Sequence, residues 1–481
     1  MSRVKLFIEN FLVYGLGSMI SKIVPLVMLP IITRILPNEE IYGINDIASL
    51  AISFGSVFIM MGIYDGLFRI FFDKDETTYK KSIVSSSLFF VLITSLVVLI
   101  LIVPFTKEIS NMLFASEEYR VLVVIIAFSM CLNTISVIVG APTRMQNKRK
   151  IYLFINTLSP IISYSISIPM IIFGNATYAL PLATLSTSIF IIVFFLYINR
   201  TWFDLSLVSK KYIKEMLLLG MPLVPNVLIY WIFNSCDRLF IGQILGNGQV
   251  GVYGVGARIA SVSQLIYTAF ASGWQYFAYS TMKEKDQIDI NSKLFEMLSL
   301  ISFISTCLLI MFSKFIFNIL FTGDYIEGYK VVPYLFLSPL ILMLIQILSS
   351  QLMIIKKTIP STVMLTIGAV VNLVFNSFLI KSEGIEGAAI ATLIGYIFSL
   401  VLFIYYLTKQ KQINISNKFK INMVLMLLFL FIWKEIIRSN DLIVIIFGGA
   451  IIFLMLIQYK EDLNQIFNKL KFLLNSKLKN C

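Results

Sequence analysis

The chain of 481 residues has no histidine, only 14% charged residues and no paired cysteines. Soluble proteins carry about 25% charged and about 45–50% apolar residues, whereas 58% of this chain is hydrophobic. That balance excludes a soluble enzyme, a nucleic-acid-binding domain and a disordered chain. Without histidine, a Ser-His or Cys-His nucleophile is impossible, and any proton coupling must run through carboxylates. Cys131, Cys236 and Cys307 lie in apolar runs and Cys481 is the last residue; no CxxC spacing occurs, so neither a disulfide framework nor a metal site is indicated. No Walker A sequence is present either, which argues against ATP hydrolysis by this chain. The first apolar run continues to Ile32 with no small-residue cleavage site, unlike a secretory signal peptide.

What the chain has in abundance is apolar runs of about 20 residues, the length of a membrane-crossing helix. Fourteen are predicted, at 11–33, 41–63, 82–104, 120–141, 151–173, 177–199, 216–238, 250–272, 294–313, 331–355, 360–380, 385–407, 420–438 and 441–459. The net charge of +13 is read by position. With the N-terminus in the cytoplasm, 28 of the 39 Lys and Arg fall in inside segments, nine fall outside, and Lys22 and Arg258 lie within spans. Basic residues concentrate in cytoplasmic loops of membrane proteins. The bias therefore predicts an even number of spans with both termini cytoplasmic. Beyond Tyr459, Leu463, Ile466, Phe467, Leu470 and Leu474 recur at helical spacing among lysines. This predicts a basic amphipathic helix on the inner leaflet.

The two halves echo each other. Arg144–Ile151 and Leu352–Ile359 stand 208 residues apart, as do Leu182–Leu185 and Ile390–Leu393. Ile35–Asn38 and Ile244–Asn247 stand 209 apart, followed by Ile41–Gly43 and Val252–Gly254 after a two-residue slip. The expected architecture is an all-α integral membrane protein with about 14 transmembrane helices. Two six-helix bundles, 1–205 and 206–410, are related by a parallel internal repeat; helices 13 and 14 (411–459) and a tail (460–481) follow. Such a repeat places a cavity about an axis along the membrane normal, which suits a transporter.

Charges inside spans are expensive and usually face a cavity or a partner. Lys22 and Arg258 are read as cavity-lining cations, with structural ion pairs as the alternative. Asp46 and Arg258 occupy places within one residue of equivalent under the repeat, so they are expected to line opposite walls of one cavity. Arg34 closes span 1. Arg69 and Arg144 are either cavity cations or positive-inside anchors. Asp237 and Arg238 read first as a local pair at a helix end. Paired prolines in spans 1, 5, 7 and 10 suggest either bending points or static kinks.

Gly15–Ile47, Gly220–Ala260 and Gly384–Tyr396 together resemble the Wzx-type polysaccharide repeat-unit flippases. The resemblance spans most of residues 10–407. It implies the multidrug/oligosaccharidyl-lipid/polysaccharide exporter (MOP) superfamily and a MATE-like fold. It further implies movement of an undecaprenyl-diphosphate-linked oligosaccharide, for O-antigen, capsule or exopolysaccharide, between leaflets of the bacterial cytoplasmic membrane. Lys22, Arg258, Arg34, Arg69 and Arg144 are the candidate substrate cations, because Lys and Arg bind phosphate well. Asp46, Asp65 and Asp237 are the candidate carriers of a coupling proton or sodium ion. No metal or other cofactor and no catalytic residue is expected. The chain is expected to work as a monomer among membrane lipids, handing its cargo to a polysaccharide polymerase. Rival readings are a flippase of peptidoglycan or teichoic-type precursors and a multidrug or metabolite antiporter. A membrane-bound polymerase would need a large outer loop, and the predicted outer loops are short.

Overall fold

The computed structural model describes residues 22–461, apart from 283 and 285. The start of span 1 and the tail helix beyond 461 lie outside the described residues. All regular structure among the described residues is helical. In chain order the first helices are α1 (residues 22–35), α2 (Glu39–Met60), α3 (Ile63–Ile70), α4 (Thr77–Ile102), α5 (Thr106–Phe114) and α6 (Arg120–Met145). Then come α7 (Arg149–Ile172), α8 (Ala176–Asn199), α9 (Lys210–Gly220), α10 (Val224–Leu245), α11 (Asn247–Ala260) and α12 (Val262–Ser280). The remainder are α13 (Gln287–Leu320), α14 (Val332–Ile354), α15 (Ile359–Lys409), α16 (Asn417–Ile432) and α17 (Asp441–Gln458).

Ten of these helical stretches are long and apolar enough to cross a membrane. α15 carries two of the predicted spans, divided at Gly384, whose φ of 61° interrupts the helix. α1, the α11–α12 pair and α16 with its π-helical end supply the other predicted segments. Large apolar side chains point outward all along them: Ile100 is 62% exposed and Phe173 82%. In lipid this exposure is the favourable arrangement, because backbone groups are satisfied within each helix.

Helix ends follow local chemistry. Asn38 caps α2 by accepting from the Ile41 amide at 3.1 Å, and Glu39 and Glu40 complement the positive helix start. α2 stops at Met61 and Gly62, both with positive φ.

The structure corrects three expectations. Span 7 does not end at Arg238, because α10 continues to Leu245; Asp237 and Arg238 therefore sit in a helix interior. Pro222 and Pro225 do not kink a continuous helix. They occupy a 3-10 turn and the first turn of α10, where a missing amide proton is harmless. Span 8 breaks at Ser261, just past Arg258.

The chain forms two compact units. The first holds the chain through Ile259 together with Leu320–Val331 and Ala369–Gly395. In it α6 packs on α8 and α2, and α3 packs on α9. The second holds Ala260–Ile319, Val332–Gly368 and the chain from Tyr396. There α12 packs on α14, and the Trp274 indole donates to Ser350 at 2.9 Å. Gln287 donates to Gln351, and Lys314 pairs with Asp441 at 3.3 Å.

Candidate functional site

The candidate residues converge within the first unit, along a seam where α2 runs antiparallel to α10. The register is regular. Asp46 meets Arg238, Ser53 meets Trp231 seven residues on, and Gly62 meets Gly220 near the far end. Seven residues are two helical turns, so each helix presents one face to the other.

Near the Glu39 end, glycines bring backbones into contact. A side chain at Gly43 would collide with the Asn247 carbonyl, and one at Gly251 with the Glu39 carbonyl. This close approach explains a correction to the sequence reading. Asp46 and Arg258 do not face each other across a cavity; they are 3.7 Å apart as an ion pair. Asp46 is 6% exposed and bridges two guanidinium groups. Its Oδ2 lies 2.8 Å from Arg238 Nε without hydrogen-bond alignment, so the attraction there is chiefly charge on charge. Arg238 is further held by the Asn234 carbonyl at 3.2 Å and lies over the Tyr253 ring at 5.8 Å. The Arg258 side chain keeps 40% of its surface exposed, so it is the more accessible cation of the two.

Asp237, next to Arg238, turns the other way. It is 2% exposed and accepts from the Tyr253 hydroxyl and, at 3.0 Å, from the Thr392 hydroxyl. Asn372 donates to Thr392 at 3.0 Å. Asn376, one turn along, is fully buried, and neither its amide nitrogen nor its oxygen has a partner among the described residues. Oδ1 of Asp237 and the Asn372 carbonyl oxygen are likewise unpartnered. Buried carboxylates are stable only when protonated or matched by a cation. The unpartnered acceptors of this cluster are the oxygen atoms of Asp237, Asn372 and Asn376, the kind of donor that hard cations take.

Below the ion pairs the seam holds an aromatic step. Trp231 donates to Ser53 at 3.3 Å, and its ring centroid lies 4.4 Å from that of Phe54. Next comes a cavity of about 240 Å³. The backbones of Gly62 and Gly220 then touch, and Gly66 touches the Met216 backbone.

The other candidates are placed elsewhere. Arg34 donates to the Leu320 carbonyl at 3.3 Å, at the Glu39 end. Arg69 forms an exposed pair with Asp73 at 2.7 Å, an arrangement worth about 0–1 kcal/mol. Arg144 donates to Tyr64 at 2.9 Å and lies over the Phe68 ring. Asp65 lines the cavity. Lys22 is exposed at the start of the described residues and makes none of the seam contacts given above.

Sequence reasoning gave Arg238 only as a local partner of Asp237 and missed Trp231. The available signal was the shared seven-residue spacing of Asp46–Ser53 and Trp231–Arg238.

A family model described as polysaccharide biosynthesis protein matches residues 31–330, well over half of the chain. The chain belongs to the polysaccharide biosynthesis protein family. For this family member, curated relatives include an uncharacterized membrane protein of Methanocaldococcus jannaschii, 29% identical over 226 residues. A probable low-salt glycan biosynthesis flippase, Agl15 of Haloferax volcanii, is 26% identical over 234 residues. These matches cover 44% and 45% of this chain, and 45% and 48% of the relatives, so the chain matches about half the length of each. Among solved structures, the lipid II flippase MurJ in an inward closed conformation gives a TM-score of 0.68 at 18% identity, over 94% of this chain and all of that one. An inward-facing MATE family transporter of the MOP superfamily gives 0.57 at 14% identity, over 85% and 95%. The polysaccharide biosynthesis protein thus has the MOP transporter fold and is a multi-pass membrane protein.

Breaking the bridge tests its structural weight. Asp46→Asn leaves Arg238 and Arg258 facing each other without their counter-charge. Losing one partner of a buried pair costs about 3–5 kcal/mol, and the partial exposure of Arg258 favours the low end. Thermal unfolding of the purified variant is expected to show the loss. Equal stability of Asp46→Asn and wild type would show that Asp46 does not hold the seam.

Proposed function

We propose that the protein flips a polyprenyl-diphosphate-linked oligosaccharide, on undecaprenyl in a bacterial host, from the inner to the outer leaflet. The observation that carries this reading is the pair of guanidinium groups held on one carboxylate at a seam inside the membrane-spanning unit. A diphosphate needs cations to leave water, and Arg can grip it with two parallel hydrogen bonds. Here Arg258 is partly exposed and lies 3.7 Å from Asp46, so an arriving diphosphate competes with the protein partners that hold it. A pump for cationic drugs would want the opposite sign.

In this reading the Met60 end of α2 faces the cytoplasm, as the basic loops require, and both termini are cytoplasmic. The chain works as a monomer and passes its cargo to a polymerase outside. Lys22 guides the headgroup from the lipid side. Asp237 carries the coupling ion, a proton or sodium. Its burial and its unpartnered oxygen support that role better than the ion-paired Asp46 or the cavity-lining Asp65.

Arg258→Ala and Lys22→Ala, introduced into a deletion strain, test the reading. The expected result for Arg258→Ala is loss of surface polysaccharide with intact lipid-linked units trapped on the inner leaflet. The Lys22→Ala defect is expected to be smaller. Units that reach the outer face but stay unpolymerised would point to a polymerase, and unchanged polysaccharide with altered drug tolerance to an antiporter.

A further inference from the structure

The cavity between the aromatic step and the glycine contact is separate from the arginines that suit a diphosphate. It holds about 240 Å³, below the ~300–1,000 Å³ of whole small-molecule sites. That is room for one ring, not for an oligosaccharide. Its walls are mostly apolar, with Val227 on the α10 side, and polar groups are few: the hydroxyls of Ser53 and Ser56, the phenol of Tyr64 and the carboxylate of Asp65. Ser53 and Ser56 are three apart on α2, so they share a face. Arg144 fixes the Tyr64 hydroxyl at 2.9 Å. Trp231, one turn beyond Val227 on α10, adjoins the wall by donating to the Ser53 hydroxyl at 3.3 Å.

We propose that this cavity is a subsite for a single pyranose ring, the sugar nearest the diphosphate, with Trp231 and Val227 against its C–H face and Asp65, Ser53 and Ser56 on its hydroxyls. A sugar ring has an apolar face and a polar rim, and this wall has the same division. An aromatic platform with a few fixed polar groups is the usual way to hold such a ligand. The carboxylate accepts from two adjacent hydroxyls, while the serine hydroxyls, which donate to the Leu50 and Ile52 carbonyls, accept from the sugar. The subsite and the arginines lie along the same α2–α10 face. Asp46 and Ser53 are about 10 Å apart at 1.5 Å per residue, so headgroup and first sugar are read at successive levels.

This assignment rests on the flippase reading, and the experiment separates the two. The full-length protein in lipid nanodiscs is titrated with two probes. One is the lipid-linked unit that accumulates in a strain lacking the protein; the other is bare undecaprenyl diphosphate. The wild type is expected to bind the glycosylated lipid about tenfold more tightly, the worth of one or two neutral hydrogen bonds and a ring contact. Asp65→Asn and Trp231→Ala are expected to erase that difference while keeping affinity for the bare lipid, which also reports that they fold. Trp231→Phe is expected to restore most of it. Equal wild-type affinity for both probes, or variants that weaken both alike, would overturn the sugar subsite and leave the diphosphate reading standing. Binding of neither probe by the wild type would overturn the flippase reading itself.

Discussion

Asp237→Asn is expected to abolish the proposed ion dependence of transport while leaving the folded protein intact. Asparagine keeps the size and accepts from the same hydroxyls of Tyr253 and Thr392, but it can neither release a proton nor balance a cation. Losing a buried charge partner costs about 3 kcal/mol or more, which corresponds to roughly 10²-fold in ion affinity. Two measurements check this. Thermal stability of the purified wild type is followed while sodium replaces potassium, and again as pH is varied. Stabilisation by sodium that vanishes in Asp237→Asn identifies a sodium carrier, whereas a pH dependence that vanishes identifies a proton carrier. Wild-type ion dependence retained in Asp237→Asn would remove Asp237 from the coupling role.

The glycine contact between α3 and α9 carries the second large effect. Gly62 and Gly220 touch backbone to backbone, and Gly62 also has a φ of 74°, which a β-branched residue adopts poorly. Gly220→Val isolates packing from backbone strain, because the φ of Gly220 is an ordinary −89°. Overpacking a close contact costs about 1–3 kcal/mol, and ~1.4 kcal/mol is tenfold. The closed arrangement should therefore lose between about fivefold and 10²-fold in population. A cysteine placed at Ser56 in a cysteine-free background reports the outcome. Labelling of that cysteine by a membrane-impermeant thiol reagent, applied from the Met60 side, should rise several-fold in Gly220→Val, and polysaccharide export should fall. Unchanged labelling and export would show that the contact does not close the cavity.

Much of the helical layout was legible because hydrophobic run length and basic-loop position are local properties of the chain. The repeat arithmetic set Asp46 and Arg258 at equivalent places, and the structure pairs them at 3.7 Å. What could not be read was register. No local rule says that α10 continues seven residues past Arg238, that Arg238 therefore points at Asp46, or that Asp237 faces Thr392, 155 positions away. The Ser261 break and the turn around Pro222 were hidden too, because apolar composition runs through both. Glycines carried the missing distance information. Gly43 and Gly251 mark where helix backbones touch and Gly254 where the Asp46 carboxylate comes close, and only the partner atoms reveal it.

The three-charge bridge also has an electrical consequence. With two guanidinium groups on one carboxylate, the seam alone is net positive by one charge when empty. The diphosphate diester of the proposed cargo would bring two negative charges and leave the loaded seam net negative by one. An interior-negative membrane potential pushes a net negative carrier outward and draws a net positive one back. Each elementary charge that crosses the field is worth about 2.3 kcal/mol per 100 mV. In the proposed flippase reading, the resting voltage of the cell would through Asp46 assist both the loaded and the empty stroke, and a neutral residue at that position would leave the empty seam more positive and the loaded one without net charge.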